Sequence, residues 1–172
     1  MSSLGWIRAW IVFFMVALVV SGVTAFPLLE ELTLGSSILH SWGVEQWMPA
    51  LVEWIDRVRA GLADTYASYP WLAYGTDWLA FAHLVIAVAF VGPLGDPVRN
   101  VWVIHWGMIA CVGVIPLALI AGSIRGLPWG WMLVDMSFGV FGIIPLLIIL
   151  RLTRRIEHEQ AIPTSESPER PV

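Results

Sequence analysis

Apolar residues along this chain gather into four long blocks, over residues 6–26, 78–92, 101–121 and 131–150. A helix needs about 20 mostly apolar residues to cross a bilayer. Three blocks reach that length, and Thr76 and Asp77 extend the short second one to residues 76–92. The predicted fold class is therefore all-α: a polytopic integral membrane protein built as a four-helix bundle. Residues 1–160 are expected to form a single membrane domain.

One segment between the first two spans has a different pattern. Trp47, Leu51, Trp54, Val58 and Leu62 recur at helical spacing, while Glu45, Glu53, Asp56, Arg57 and Arg59 fill most of the remaining positions. This predicts an amphipathic helix over residues 45–62. Pro49 is tolerated only in the first turn, so the helix should start near Glu45 or Gln46. Its apolar face needs burial, in the leaflet surface or on top of the bundle. A structural cap is the leading reading. A gate or a partner-docking element is the alternative.

The connections are read from their helix breakers. Gly92-Pro93-Leu94-Gly95-Asp96-Pro97 predicts a tight turn that makes the second and third spans an antiparallel hairpin. Asp96 followed by Pro97 suits an N-cap with proline at the first helical position. The connection 122–130 contains Arg125 and Pro128. Residues 161–172 are polar and proline-bearing, and are expected to be a disordered cytoplasmic tail. Pro116 and Pro145 are expected to kink their spans.

Arginine placement orients the spans, because cytoplasmic ends collect basic residues. With the N-terminus inside, Arg8, Arg99, Arg151, Arg154, Arg155 and Arg170 fall on the cytoplasmic side. Arg57, Arg59 and Arg125 fall outside. Both termini are thus expected in the cytoplasm, with the amphipathic helix extracytoplasmic. Trp6 and Trp10, Trp71 and Trp78, Trp102 and Trp106, and Trp129 and Trp131 mark span ends as interfacial anchors; a tryptophan-lined ligand cage is the sharper alternative. The expected location is a cell membrane, the bacterial inner membrane.

Composition narrows the function. The chain is 58% apolar and 13% charged over 172 residues, so a single membrane domain is expected, with no separate soluble enzyme domain. Net charge is -4 with no basic stripe, so nucleic acid is not an expected partner. Cys111 is the only cysteine, which excludes an intrachain disulfide and a dithiol redox centre. It is read as a packing residue. Arg8 and Val23-Thr24-Ala25 loosely resemble a signal peptide, but apolar character continues through Phe26-Pro27-Leu28-Leu29. A retained first span is expected.

Ionisable groups inside spans are expensive and therefore functional candidates. His83, His105 and Asp135 qualify, and Asp77 lies at a border. At about 1.5 Å of rise per residue, His83 and Asp135 fall at similar depth on spans running the same way. Ala80 and Ala87 flank His83, and Gly139 and Gly142 follow Asp135, so both faces permit close helix approach. The pair is read first as a structural hydrogen bond. The alternative is a ligand-binding or proton-relay site with Asp77 and Arg125 as further candidates.

Three functional classes follow. The first is a small, non-enzymatic membrane accessory or binding protein, associated with other membrane subunits or with itself. The second is an electron-transfer subunit binding haem b or quinone through His83 or His105. Their depths differ by about 8 Å along antiparallel neighbours, which is awkward for one porphyrin. The third is a proton-coupled carrier or channel using His83 and Asp135 as an oligomer. A metal site is a weaker option; it would draw on His40 and Glu30 or Glu31, with no spacing that compels it.

Overall fold

A computed structural model describes residues 3–161, and among them there is no strand. The α-helices run in the order α1 (Ser3–Ala25), α2 (Leu28–Ser41), α3 (Pro49–Ser68), α4 (Tyr74–Ala89), α5 (Val91–Gly95), α6 (Val101–Ile124) and α7 (Trp129–Ala161). Four stretches are long and apolar enough to cross a membrane: Ser3–Ala25, Pro70–Gly95, Val101–Ile124 and Trp129–Glu159. The chain is an all-α, multi-pass membrane protein with a lipid bilayer as its environment. The tail expected to be disordered lies outside the described residues, apart from Ala161, which closes α7.

The described chain separates into two compact units, divided between Met15 and Val16 and again between Ala87 and Val88. The first unit holds the start of α1 together with α5, α6 and α7. The second holds the rest of α1 with α2, α3 and most of α4.

In the first unit, Ile7, Ile11, Phe14, Phe90, Val103, Ile104, Leu146, Ile149 and Leu150 are buried together with Thr153. Phe14 and Phe90 stack at 4.8 Å between ring centroids. The dominant pairing is the antiparallel hairpin of α6 and α7. Gly107 packs on Leu146, Gly139 on Cys111 and Val114, and Gly122 on Met132. These contacts run in opposite directions along the two helices. They place Ala118, midway between Val114 and Gly122, level with Asp135. Lipid tails are as apolar as leucine, so close packing at small residues must hold such helices together.

The α6–α7 connection turns on Gly126, whose φ of 69° lies in the left-handed region. The Leu127 amide donates back to the Gly122 carbonyl at 2.9 Å, closing the end of α6. Pro116 and Pro145 lie inside α6 and α7.

Two details of the 92–100 region differ from the sequence reading. The tight turn expected over 92–97 contains a helical turn, α5, with Pro93 as its third residue. Proline fits there because the first amides of a helix have no intrahelical acceptor. Nor does Asp96 cap the third span, which starts at Val101 with Asn100 at the N-cap. Asp96 instead accepts the Arg99 amide at 3.0 Å, so it caps the intervening turn. The Asn100 side chain donates to the Gly92 and Asp96 carbonyls at 3.1 and 2.9 Å, fastening this loop.

In the second unit, α2 and α3 pair as a second hairpin. α2 had no counterpart in the sequence reading. The amphipathic helix is present but shifted: α3 starts at Pro49, not at Glu45 or Gln46, and runs on to Ser68. Proline at the first helical position has no amide to satisfy and a φ already set for helix. Upstream of it, Gly43 takes φ 65° and Val44–Gln46 closes a separate 3-10 turn. Trp47 therefore lies outside the helix and is 72% exposed, whereas Val52 is buried. Leu51, Trp54, Val58 and Leu62 are half-buried. Also in this unit, Gly22 of α1 meets α4 closely. A Cβ there would sit 2.9 Å from the Ala80 carbonyl oxygen and 3.0 Å from the His83 Cβ.

Candidate functional site

The α6–α7 hairpin leaves a groove of about 220 Å³ near its connection. It is lined by Val114, Leu117, Ala118, Ala121, Gly122, Arg125, Leu127 and Asp135. Its shape follows from the sequence. Ala118, Ala121 and Gly122 are too small to fill the space beside Asp135, while Val114 and Leu117 make its walls apolar. Asp135 and Arg125, both singled out in the sequence, therefore share one cavity.

Their positions in it differ. Arg125 terminates α6, its amide donating to the Ala121 carbonyl at 3.0 Å, and its side chain is exposed. Asp135 is level with Ala118, seven residues back along α6, or about 10 Å deeper by helical rise. It is half-buried. No ion pair within 4.0 Å joins the two, and Asp135 has no hydrogen-bond partner among the described residues. The groove thus presents an unpartnered carboxyl in an apolar wall with a guanidinium at its mouth. Such a site can take a cationic or proton-donating group at Asp135 and an anionic one at Arg125.

The remaining intramembrane candidates are placed singly. His83 is half-buried on α4 and its Nδ1 donates to the Leu79 carbonyl at 2.8 Å. A carbonyl can only accept, so the proton is on Nδ1 and Nε2 carries the free lone pair in the neutral ring. Asp77 is half-buried in the first turn of α4, where the helix dipole favours an acid. His105 is half-buried near the start of α6, with no hydrogen bond among the described residues.

A polar cluster that the sequence reading did not assemble lies between α2 and α3. Ser36 donates to Oδ1 of Asp56, and His40 Nε2 lies 2.9 Å from Oδ2 of the same carboxylate. Glu45 stands 3.8 Å from His40 Nδ1, and Arg59 stands 3.9 Å from Asp56. The Ser36 hydroxyl and His40 hold the Asp56 carboxyl below its ordinary range. This is not a nucleophilic arrangement. Serine and histidine both bond the same acid, and no imidazole stands ready to take the serine proton. Its geometry is that of a clasp between two helices. Ser36 and His40 are one helical turn apart, as are Asp56 and Arg59. Each spacing puts its two residues on one helix face, but only the pairing of α2 with α3 brings the two faces together.

His40, proposed from the sequence as a metal contributor, is thus committed to Asp56. Glu30 and Glu31 lie in the first turn of α2. Among the described residues no three His, Cys, Asp or Glu side chains converge to hold a metal ion.

No protein-family model matches the sequence, and no curated protein or solved structure resembles it closely enough to count as a match.

Proposed function

We propose that this is a membrane accessory or binding protein without catalytic activity, and that the α6–α7 groove is its binding site. The observation that carries the reading is Asp135, a carboxyl in an apolar groove inside a span with no partner from its own chain. An ionisable group in that position is costly unless something satisfies it. A basic or hydrogen-bond-donating group on a small ligand or an adjoining membrane subunit meets that need. Arg125 at the groove mouth selects for an acceptor on the same partner.

The test is a stability measurement on the isolated protein. If Asp135 is kept for a partner, Asp135→Leu raises the melting temperature of the purified full chain, because function and stability then oppose one another. If Asp135 fixes the fold, the same change lowers it, and the reading is wrong.

A second reading rests on His83. Its Nδ1 bond to Leu79 leaves Nε2 available, the arrangement in which a histidine serves as a metal or cofactor ligand. On this reading the protein is an electron-transfer subunit carrying haem b or quinone. A Soret band in protein purified from its native membrane supports it; a colourless protein that also yields no quinone on extraction rejects it. The third reading joins His83 and Asp135 in a proton-coupled carrier that works as an oligomer.

The arginine distribution supports an orientation with both termini cytoplasmic and the α2–α3 hairpin on the opposite side. A bacterial inner membrane is the compartment proposed.

A further inference from the structure

We infer that the exposed face of α7 just beyond its apolar run binds the headgroup of an anionic phospholipid. The inference does not depend on the reading of Asp135.

Leu146, Ile149, Leu150 and Thr153 are buried and follow one another at helical spacing. Arg151, Arg154, Arg155 and His158 repeat the same spacing five positions later and are all exposed. Five residues rotate a helix by about 140°, so the basic stripe points away from the packed face. The last fully apolar stretch ends at Leu150, so the stripe begins where the hydrocarbon ends.

The surface there is open, is formed by α7 alone, and joins apolar to basic side chains. A groove of about 510 Å³ is lined by Ile148 and Leu152 together with Arg151, Arg154 and Arg155. A second, of about 410 Å³, is lined by the same three arginines with His158 and Glu159. No ion pair among the described residues engages the three guanidiniums. Glu159 is the one acid on the rim, and Glu157 is exposed nearby.

Charge complementarity and position together choose the occupant. Guanidinium groups bind phosphate through paired, charge-assisted hydrogen bonds. Ile148 and Leu152 continue the same groove toward the span, where they can receive the first carbons of an acyl chain. A free anion would use the arginines and leave the apolar wall wet. A zwitterionic lipid would bring an ammonium group against three positive charges. A lipid with net negative charge satisfies both halves of the groove.

The test uses the delipidated full chain in neutral detergent, with lipid retention read by native mass spectrometry. The probes are phosphatidylglycerol and phosphatidylcholine with matched acyl chains. Phosphatidylglycerol should be retained in preference, and added salt should weaken the preference. Each arginine should contribute about fivefold, so Arg151→Gln, Arg154→Gln and Arg155→Gln together should cost about a hundredfold. The corresponding triple change to Lys keeps the charge and should retain most of the preference, which separates lost binding from lost fold. Arg57→Gln, on exposed α3, should leave the preference intact. Equal retention of the two lipids overturns the inference. So does an equal loss in Arg57→Gln, or displacement of the lipid by inorganic phosphate at matched concentration.

Discussion

Gly139 of α7 packs against the backbone carbonyl of Cys111 on α6 so closely that a Cβ at residue 139 would collide with it. Gly142, one turn on, faces the Cys111 sulfur, where a Cβ would lie 3.1 Å away. The two helices touch backbone to backbone at this level, and the contact sets the groove in which Asp135 sits one turn away. Gly139→Val should therefore force the hairpin apart and cost about 1–3 kcal/mol. Gly113→Ala is the internal control. Nothing lies within 4 Å of a Cβ there, and alanine should gain up to about 1 kcal/mol of helix propensity. Thermal unfolding of both variants in one detergent decides the point. Equal destabilisation would mean that the close approach is not what holds the pair.

The α2–α3 clasp should be acid-labile only at its lower limit. The Asp56 carboxyl is held below its ordinary range by Ser36 and His40, with Glu45 and Arg59 also nearby. A depressed folded pKa contributes stability that is complete above the unfolded value, about 3.9, and is lost as pH falls through the lower folded one. Amide exchange in α2 should thus stay slow through pH 5 and accelerate only below about pH 4. Ser36→Ala should remove about 1 kcal/mol of protection at neutral pH. Unchanged exchange in Ser36→Ala would show that the hydrogen bond does not tie the helices together.

His83 and Asp135 provide a direct measurement of whether the intramembrane polar groups meet. Cysteines placed at both positions in a Cys111→Ser background should crosslink under mild oxidation if they share one level. Interhelical polar pairs in membranes average only about 0.6 kcal/mol and reach about 1.7. On the proton-relay reading, a double-mutant cycle with Asp135→Ala and His83→Ala shows coupling in that range; if Asp135 is kept for a partner outside the chain, the two changes add. Strict additivity with no crosslink would retire the proton-relay reading and leave each residue to act alone.

Orientation is open to reporter fusions. A reporter after Arg155 or within 95–98 should score as cytoplasmic, and one near Ala63 as external. An external C-terminus would reverse the proposed side of the α2–α3 hairpin and of the lipid-binding stripe together.

The spans were legible because twenty-odd apolar residues have few other uses, and their edges moved only where local chemistry intervened. Pro93 reads as the limit of a span, yet the helical stretch Pro70–Gly95 runs through it because it sits in the first turn of its own element, while Pro70 opens that stretch. Asp96 shows the reverse. Its pairing with Pro97 reads as the cap of a helix, but the Asn100 side chain holds the loop and delays the start of α6. α2 was not legible. Its residues mix Glu30, Glu31, Ser36, Ser37 and Gly35 with leucines, and only pairing with α3 gives that pattern a buried side. For the same reason the Asp56 cluster was invisible until two segments became neighbours. Asp135 and Arg125 were each found by cost, as charges in or beside a span. Their shared groove depends on the register of α6 against α7, which no periodicity encodes.

The four-residue connection between α6 and α7, residues 125–128, also bears on how the protein is made. Closing so short a loop costs little chain entropy, and the glycine contacts of this pair join residues close in sequence. The pair can therefore zip together as soon as α7 has entered the lipid, without waiting for any other span. The clasped α2–α3 segment is likewise local. Assembly of this chain then becomes the docking of pieces already formed, and a mutation that spoils one hairpin should leave the other intact in the membrane.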